Sequence, residues 1–488
     1  MERFNSGKSA ESGFTTLVVG NGALGLALGL ELARLGQRVA VVGPVRRDFC
    51  ASTAAGAMNG CFGEITTDLL SSTYGRTKFG LDVEATGRWD SWSEEIAAAA
   101  EIPVVSLRRK TGTTVILNGI GTHAIDSSNF WLIEKTLKEF GKPYSILEEH
   151  EIGWISPQDS SRSFRALHLP DEHSVVTPNY ISALETAVRR YGGSLIDGVV
   201  RKLDVPVPGA ACAVRLTDGS SLSADNIVLA AGVHSYTLLS ETLPELAALV
   251  PPLVSGCGVS VLIQNSRTRQ PECVIRTPNR SFSCGLHAVP RPDAIYIGAT
   301  NWLSNTPQSF ANVNDLHFLL SCAMKQLHTN LSTGQIAAVQ VGNRPIPIDG
   351  FPLIGALPGT KWWMLTGTYR DGFHQSPLLA GHMARAISEG NDGELPTMFN
   401  PVRAPIEAST RERVVSQTVN HTLATGFEAD WQMPVVLSSR LRSDLTRKYA
   451  TAAEQLHEKF TPPPEILAFS EKNPWIRSKL KAYYSSYC

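Results

Sequence analysis

Three glycines near the start of the chain, Gly20, Gly22 and Gly25, follow the spacing G-x-G-x-x-G between two apolar segments. Residues 15–19, T-T-L-V-V, are largely β-branched and end in an apolar run, which predicts a buried parallel strand. Residues 23–35 carry small and apolar side chains at helical spacing, and a second apolar strand segment follows. The three glycines therefore occupy the turn where a strand passes into a helix.

Each glycine of this turn has a separate physical role. Gly20 allows the tight turn, Gly22 lets the backbone approach a pyrophosphate, and Gly25 lets the helix pack closely on the strand. The helix start adds free N–H groups and the positive end of the helix dipole, both of which favour phosphate. In this setting the pattern predicts a dinucleotide site, and a glycine-rich turn without a ligand is the alternative.

The second predicted strand lacks the acidic residue that usually ends it and accepts a hydrogen bond from the adenosine ribose. Gly43 stands at that position and is followed by Arg46 and Arg47. The two arginines either face a phosphate, which would indicate a cofactor with a 2′-phosphate, or lie on a solvated loop. Asp48 is a candidate for the missing carboxylate.

Size and composition limit the class of protein. A chain of 488 residues exceeds one ordinary core and predicts two domains plus an appendage. The formal net charge of −1 argues against a nucleic-acid partner. The apolar stretch at 17–35 contains Glu31 and Arg34, so no membrane span is predicted. The eight cysteines form no C-x-x-C pair, which favours reduced thiols in a cytoplasmic protein without a metal site.

Later segments add three kinds of pattern. Tiny residues fill 50–60, where backbone can lie against something flat or charged, and an apolar strand at 223–232 ends in small residues. Alternating apolar residues predict antiparallel strands at 259–263, 283–289 and 294–300.

The most specific pattern is a proline-rich block, R-P-I-P-I-D-G-F-P-L-I-G at 344–355, followed by T-G-T-Y-R-D-G-F at 366–373. The prolines stiffen a segment that holds Arg344 in place, and the glycines of the second block let backbone approach a flat ring. Together with the glycine turn and the run of tiny residues, these blocks resemble the FAD-dependent D-amino-acid oxidase superfamily, in its glycine oxidase and sarcosine oxidase branch. The resemblance covers roughly residues 14–392.

The resemblance implies an α/β fold, in which a Rossmann-like FAD-binding domain is interleaved with an antiparallel-sheet substrate domain and followed by a helical C-terminal extension. The implied division gives the FAD-binding domain residues 14–90, 165–235 and 340–392, the substrate domain residues 91–164 and 236–339, and the C-terminal extension residues 393–488.

The resemblance also implies FAD as the cofactor, in preference to NADP. We expect it to be non-covalent, because some relatives attach flavin through a cysteine near the Arg-Pro block and this chain has none between Cys322 and Cys488. Val200 is implied to meet the adenine through its backbone, unless it is an ordinary strand valine. The implied cofactor-binding residues are Gly20, Gly22, Ala23, Leu24, Gly25, Gly43, Arg46, Ser52, Thr53, Ala55, Gly56, Met58, Val200, Ala231, Gly232, Arg344, Arg370, Asp371, Gly372 and Phe373.

Arginines that match Arg344 and Arg370 lie at the substrate end of the flavin in the glycine oxidase branch. The resemblance implies that Arg344 clamps a substrate carboxylate, and a planar guanidinium suits this task because it can bond both oxygens. A structural ion pair with Asp349 is the alternative. Arg370 has three candidate roles: substrate binding, polarising the reduced flavin, or a place at the entrance.

His287 and Asn301 stand where the glycine oxidase stretch places a tyrosine and a methionine over the flavin. This departure makes the pocket more polar and argues against glycine or sarcosine as the substrate. His287 is a candidate base for a substrate ammonium, because the pKa of histidine lies near working pH. An ordinary hydrogen-bonded strand histidine is the alternative.

The implied reaction is hydride transfer from an amino acid or secondary amine to FAD, which yields an imine, with oxygen as the final acceptor. The alternatives are an FAD dehydrogenase of a hydroxy or amino acid with a quinone or protein acceptor, a tailoring oxidase of a larger metabolite, and a non-enzymatic flavoprotein scaffold. The expected partners are a small-molecule amine or amino-acid substrate and possible further copies of the chain.

An apolar stripe in the C-terminal extension must bury against another surface. It predicts a helix within residues 440–460 and comprises Leu441, Leu445, Tyr449, Ala452 and Leu456. The candidate surfaces are the substrate domain, where the helix would roof the pocket, and a second subunit. Plain packing without an effect on chemistry is the alternative.

Overall fold

The computed structural model of the protein describes residues 13–121, 123–206, 210–264, 269–280, 285–391, 393–431 and 435–488. The strands of these residues are, in chain order, β1 (Phe14–Val19), β2 (Val39–Gly43), β3 (Met58–Asn59), β4 (Arg108–Arg109), β5 (Thr113–Asn118), β6 (Ser145–Leu147), β7 (Ser163–Leu169), β8 (His173–Val175), β9 (Ser194–Asp197), β10 (Val200–Leu203), β11 (Cys212–Leu216), β12 (Ser221–Leu229), β13 (Leu253–Gln264), β14 (Val274–Arg276), β15 (His287–Pro290), β16 (Ile295–Gly298), β17 (Trp302–Ser304), β18 (Gln335–Pro347), β19 (Leu353–Leu357) and β20 (Trp362–Thr366).

The helices of the described residues come from all parts of the chain. They are α1 (Ala23–Arg34), α2 (Ala51–Ala54), α3 (Thr73–Ala100), α4 (Ser128–Glu139), α5 (Thr177–Arg190), α6 (His234–Thr242), α7 (Pro244–Ala247), α8 (Val313–Gln326), α9 (Gly372–Glu389), α10 (Arg411–Glu428), α11 (Val435–Leu456), α12 (Pro464–Lys472) and α13 (Pro474–Ser485). None of these helices is both long enough and apolar enough to cross a membrane.

The first sheet has eight strands, and its central strands are parallel. Strand β1 lies between β12 and β2, β9 follows β2, and β20 pairs in parallel with the end of β12. Strands β10 and β11 extend the sheet in antiparallel pairing, and β19 pairs antiparallel with β20. The strand–helix–strand unit predicted around the glycines is confirmed as β1, α1 and β2.

Helices cover both faces of this first sheet. Helices α1, α3, α5 and α9 bury apolar side chains on one face, among them Leu28, Trp89, Tyr180 and Leu378, each at most 1% exposed. Helices α6 and α7 contribute to a second apolar cluster on the other face. A parallel sheet covered on both faces forms a Rossmann-like domain, as the sequence predicts.

The second sheet has nine strands in the order β17-β13-β16-β15-β14-β5-β7-β6, with β18 paired along β13. All pairs are antiparallel except the one between β14 and β5. Chain segments alternate between the two sheets, so the predicted interleaving is confirmed. Of the strand expected at 283–289, residues 283 and 284 lie outside the described residues, and β15 begins at His287.

The C-terminal extension is helical, as predicted, and it packs on the rest of the same chain. Tyr449 and Leu456 of the predicted stripe are buried in one cluster with Ile346 and Ile348 near the end of β18. Nearer its start, the ring of Phe399 stacks on Phe351, with 5.8 Å between the ring centroids. The extension therefore contacts both the Rossmann-like domain and the second sheet, and its division from them at residue 393 stays a prediction.

Candidate active site

A cavity of about 940 Å³, the first cavity, lies where the carboxyl ends of the parallel strands face the second sheet. Its wall contains the glycine turn after β1, the residues after β2, β12 and β20, and parts of β13, β15 and β18. The volume is near the upper end of the range for small-molecule sites, roughly 300–1,000 Å³. The site therefore lies where doubly wound sheets bind their ligands.

The glycine turn has no room for side chains. Gly20 has a φ of +116°, and a Cβ there would lie 2.3 Å from the carbonyl oxygen of Ala230. A Cβ on Gly25 would lie 1.9 Å from the carbonyl oxygen of Gly20. Only glycine fits at these two positions, because any Cβ would overlap the backbone of the turn or of β12's end.

Helix α1 starts at the wall of the first cavity without a capping side chain. Gly22 is its N-cap residue and makes no side-chain cap hydrogen bond, and the first turn of α1 contains no acidic residue. The N–H of Ala23 donates to Ser52 Oγ at 3.1 Å, which joins the turn to the run of tiny residues. This helix start can accept an anion, because its dipole is not offset by a carboxylate.

Most of the predicted site residues meet in the first cavity. Those in its wall are Gly20, Gly22, Ala23, Leu24, Gly43, Ser52, Ala55, Gly56, Met58, Val200, Ala231, Gly232, His287, Arg344, Arg370, Asp371, Gly372 and Phe373. Four predicted residues are not part of the wall: Gly25, Arg46, Thr53 and Asn301. Gly25 packs on the turn itself, and the Thr53 hydroxyl donates to the carbonyl oxygen of Arg47 at 3.0 Å.

The loop after β2 separates the two adjacent arginines. The side chain of Arg46 is 85% exposed and pairs with Asp48 at 3.3 Å, as the solvated-loop alternative describes. Arg47 turns inward, where its Nε donates to the carbonyl oxygen of Asn21 at 2.8 Å and its guanidinium pairs with Glu185. Arg47 thus braces the glycine turn.

The side chain of Asn21 explains why β2 ends in glycine. A Cβ on Gly43 would lie 2.4 Å from Asn21 Cγ, so an acidic residue does not fit in this arrangement. Asn21 Nδ2 donates to the carbonyl oxygen of Pro44 at 2.9 Å, which holds the amide in that place.

The residues present fit FAD. Backbone that only glycine can form surrounds the helix start, which suits a pyrophosphate. Residues 198–201 line one end of the same cavity and could hold the adenosine half. Residues 54–58 and 368–373 line its other side, where the small side chains of residues 54–57 leave room for a flat ring system.

Arg344 lies at this flavin-side end and is half-buried. Its Nη1 donates to Asn301 Oδ1 at 3.1 Å and to the carbonyl oxygen of Thr300 at 3.4 Å, both neutral groups. Among the described residues, no carboxylate oxygen lies within 4.0 Å of this guanidinium. The proposed rival partner, Asp349, is held instead by Arg403.

Gly258 on β13 makes space for the Arg344 side chain. A Cβ at residue 258 would lie 2.4 Å from Arg344 Nη2. The sequence analysis did not select Gly258, because its partner lies on the neighbouring strand β18 and only strand pairing reveals it.

Tyr369 joins the two predicted arginines to the C-terminal extension. Its hydroxyl accepts hydrogen bonds from Asn301 Nδ2 at 2.7 Å and from Arg370 Nη2 at 3.0 Å, and donates to Glu465 Oε2 at 3.1 Å. Tyr369 has a φ of +56°, a conformation that non-glycine residues adopt rarely. The result is a continuous path of hydrogen bonds from Arg344 through Asn301 and Tyr369 to Glu465.

Sequence reasoning missed Tyr369 and Glu465. The position of Tyr369 between two glycines of the second block was an available signal. Glu465 follows three prolines in the extension, and no local pattern marks it as part of a site.

His287 is buried, and its ring stacks on Tyr296 with 5.7 Å between centroids. Nδ1 lies 2.7 Å from the carbonyl oxygen of Gly285, and since a carbonyl only accepts, Nδ1 carries the proton. Nε2 is then an acceptor, and it lies beside Gly56 in the wall of the first cavity. Burial lowers the pKa of His287 to about 4, so the ring is neutral and only weakly basic.

Two carboxyl groups near Arg344 and Tyr369, those of Glu64 and Glu465, differ in their charge state. Burial alone would raise the pKa of Glu64, but Arg276 and a hydrogen bond from Asn279 outweigh it and lower this pKa to about 2. Burial raises the pKa of Glu465 to about 7, against the opposing effects of Arg370 and the Tyr369 hydrogen bond. Glu465 therefore changes its charge near neutral pH.

The chain matches a family model described as DAO, FAD dependent oxidoreductase, over residues 15–386. It is 27% identical over 413 residues to the bifunctional protein ThiO/ThiG of Trichormus variabilis, covering 81% of this chain and 56% of that protein. It thus spans about half the length of that relative. It is 25% identical over 383 residues to the glycine oxidase of Pseudomonas aeruginosa, covering 76% of this chain and 94% of the relative.

Among solved structures, glycine oxidase from Geobacillus kaustophilus has a similar fold, with a TM-score of 0.64 and 20% identity over 80% of this chain and 98% of that chain. The family match ends at residue 386, so helices α10 to α13 and Glu465 lie beyond it.

Proposed function

The chain belongs to the DAO family of FAD-dependent oxidoreductases, and on this premise we propose that it oxidises the C–N bond of an amino acid or secondary amine to an imine. FAD, when bound, supplies the acceptor for the hydride that leaves the substrate carbon. The resemblance to glycine oxidases supports an amine of this class as the donor. Water then hydrolyses the imine, so the products of a primary amino acid are a keto acid and ammonia.

The observation that carries this proposal is the unneutralised charge of Arg344. Its guanidinium lines the first cavity and has only neutral hydrogen-bond partners, Asn301 and the Thr300 carbonyl. A planar guanidinium can bind a carboxylate through two parallel hydrogen bonds, which fixes the orientation of the substrate as well as its position. We therefore assign the substrate carboxylate to Arg344.

The substrate nitrogen must be unprotonated when the hydride leaves, because its lone pair forms the new C=N bond. His287 Nε2 is an acceptor in the wall of the same cavity, and its low pKa keeps it neutral above about pH 4. We propose that His287 accepts a hydrogen bond from the amine. Its role as the base is the weaker proposal, because an imidazole with this pKa holds a proton poorly.

Oxygen is the proposed final acceptor, and a quinone or protein acceptor is the alternative. A substrate larger than glycine is favoured by one observation, a second cavity that adjoins the first at Tyr369 and Arg370. The cofactor-binding roles of the wall residues remain part of this proposal, with residues 20–24 and Ser52 on the pyrophosphate, Val200 on the adenine, and Gly372 and Phe373 on the flavin.

The test is a substrate screen with the purified FAD-bound protein. Amino acids and secondary amines are added without oxygen, and loss of the flavin absorption band identifies those that reduce it. Air is then admitted, and hydrogen peroxide is measured. Bleaching by amino acids followed by peroxide supports the oxidase proposal, bleaching without peroxide supports the dehydrogenase, and a best substrate without an acid group would overturn the carboxylate assignment.

A further inference from the structure

The second cavity, of about 210 Å³, lies between the family-like part of the chain and the C-terminal extension. It shares Glu64, Tyr369, Arg370 and Asp371 with the wall of the first cavity, so the two spaces adjoin at the substrate end. The extension closes its other side with Ile406, Val414, Gln417, Thr461, Pro463 and Glu465. A substrate held at Arg344 therefore has a compartment beyond it for a side chain.

Glu465 differs from the other acidic residues of this wall, because no cationic side chain is in direct contact with its carboxylate, and Arg370 and Arg344 act on it only from farther away. In the described parts of the chain, no Lys or Arg nitrogen lies within 4.0 Å of its carboxylate, whose one hydrogen bond comes from Tyr369. The other acidic residues of the wall each have a cationic neighbour: Glu64 has Arg276, Asp371 and Asp82 have Lys78, Asp349 has Arg403, and Asp68 has Arg413.

A carboxyl group in this position is costly to ionise without a counter-charge. Burial raises the pKa of Glu465 accordingly, and part of the side chain still faces the second cavity. A cation inside the cavity would supply a counter-charge in direct contact, which the more distant Arg370 and Arg344 do not. Three hydrogen bonds of about 3 Å each, joined through the Asn301 amide and the Tyr369 hydroxyl, lead from Arg344 to Glu465. An amino acid with a three- or four-carbon side chain can span a path of this length.

We propose that the second cavity holds the substrate side chain and that Glu465 pairs with a cationic group, an ammonium or guanidinium, at its end. The substrate class is then a basic amino acid, held by its carboxylate at Arg344 and by its distal cation at Glu465. This proposal rests on the proposed function, since Arg344 must fix the other end. It gives the C-terminal extension a part in choosing the substrate.

The test uses two ligands that lack an α-amino group, 6-aminohexanoate and hexanoate, with the FAD-bound protein. Both carry the carboxylate for Arg344, and only the first carries a distal ammonium. Binding is followed by perturbation of the flavin spectrum and by thermal shift. We expect 6-aminohexanoate to bind about 10- to 100-fold more tightly, the range of a charge-assisted hydrogen bond.

Glu465→Gln keeps the shape and the Tyr369 contact but removes the negative charge, so the preference for 6-aminohexanoate should disappear. Glu465→Asp, which keeps the charge on a shorter side chain, should retain part of it. The matched control is Glu454→Gln on α11, an exposed position in the same extension, and it should bind both ligands as the wild type does. Turnover gives the same comparison, with lysine and ornithine favoured over norleucine.

The outcomes separate this inference from the proposed function. If hexanoate binds and 6-aminohexanoate binds no more tightly, the cation pocket is wrong while the carboxylate site stands. If neither ligand binds, the Arg344 assignment fails and this inference fails with it. A preference for 6-aminohexanoate that survives in Glu465→Gln would place the cation at another residue and overturn the role of Glu465. The wild-type comparison does not depend on the stability of any variant.

Discussion

Arg403 binds both carboxylate oxygens of Asp349, with Nε and Nη2 each at 2.9 Å from one oxygen. Asp349 belongs to the proline-rich block that positions Arg344, whereas Arg403 belongs to the C-terminal extension. The pair therefore ties the extension to the block, and Asp349 has Arg403 rather than Arg344 as its ion-pair partner.

Replacing Arg403 should destabilise the protein strongly. In Arg403→Met the buried Asp349 carboxylate loses its counter-charge, and we expect unfolding to become easier by about 3–5 kcal/mol in urea denaturation. Adding Asp349→Asn should restore part of the lost stability. The destabilisation of the double variant should therefore be smaller than the sum of the destabilisations of the two single variants. The control, Arg413→Met, removes an arginine whose side chain is 45% exposed, and should change stability by less than about 1 kcal/mol. A small effect of Arg403→Met would contradict the pair's structural role.

Changing Gly22 to Asp should cost most of the bound FAD. The substitution puts a negative charge at the helix start that is expected to face the pyrophosphate. Gly22→Ala separates the effect of size from that of charge, because it adds only a Cβ, which would lie 3.0 Å from Ser52 Oγ. We expect this variant to retain more flavin than Gly22→Asp. Gly87→Asp on the exposed side of α3, with nothing within 4 Å, is the control. The ratio of flavin to protein absorbance measures the outcome, and yellow colour left in an acid precipitate would refute non-covalent binding.

Arg344→Lys should lower kcat/KM by roughly 10- to 1000-fold. Lysine keeps the charge but lacks the two-pronged geometry, which corresponds to about 1.4–4 kcal/mol of lost transition-state stabilisation. The control is Arg215→Lys, a 64% exposed arginine of the Rossmann-like domain. The measurement is kcat/KM in steady-state kinetics with the best substrate of the screen. An unchanged kcat/KM in Arg344→Lys would exclude the proposed binding of the substrate carboxylate by Arg344.

Glu465 should make stability depend on pH. Its folded pKa of about 7 lies above its ordinary value of 4.5, so the native state holds the proton more strongly than the unfolded chain. The contribution of Glu465 to the free energy of unfolding is then fully present below about pH 4.5 and is lost as the pH rises through 7. The charged and titratable groups that act on it are Arg344, Arg370 and Tyr369.

The variant Glu465→Gln removes this titration. Its stability relative to the wild type should increase from pH 5 to pH 8, by up to about 3 kcal/mol, in urea denaturation at each pH. Glu454→Gln, exposed on α11, should show no such trend. A constant difference between Glu465→Gln and wild type across this range would show that Glu465 is already ionised in the fold.

Local pattern was enough to predict the strand–helix–strand unit, because glycine spacing and apolar periodicity are both short-range signals. These short-range signals and the family resemblance together gave twenty-two site residues, of which eighteen lie in the wall of the first cavity. They could not decide between Arg46 and Arg47, since the direction of two adjacent side chains on a loop depends on distant partners. Here those partners are the carbonyl of Asn21 and the carboxylate of Glu185.

The second half of the site was beyond the reach of sequence reasoning for a related reason. Asn301 was predicted as a pocket residue, and its amide hydrogen-bonds both Arg344 and Tyr369, which no local pattern shows. Glu465 follows Tyr369 by 96 positions and lies outside the family-like blocks, so only the packing of α12 brings the two together. Long-range contacts of this kind leave no periodic trace in the chain.

The second cavity has one wall from the family-like part of the chain and one from the C-terminal extension. On the proposed function, proteins that share the family-like part but have a different C-terminal extension would keep the same flavin-side site and have a different compartment next to it. For protein engineering, the extension is therefore not a simple exchangeable cassette: a graft between relatives that alters this compartment must also keep a partner for the buried Asp349 carboxylate.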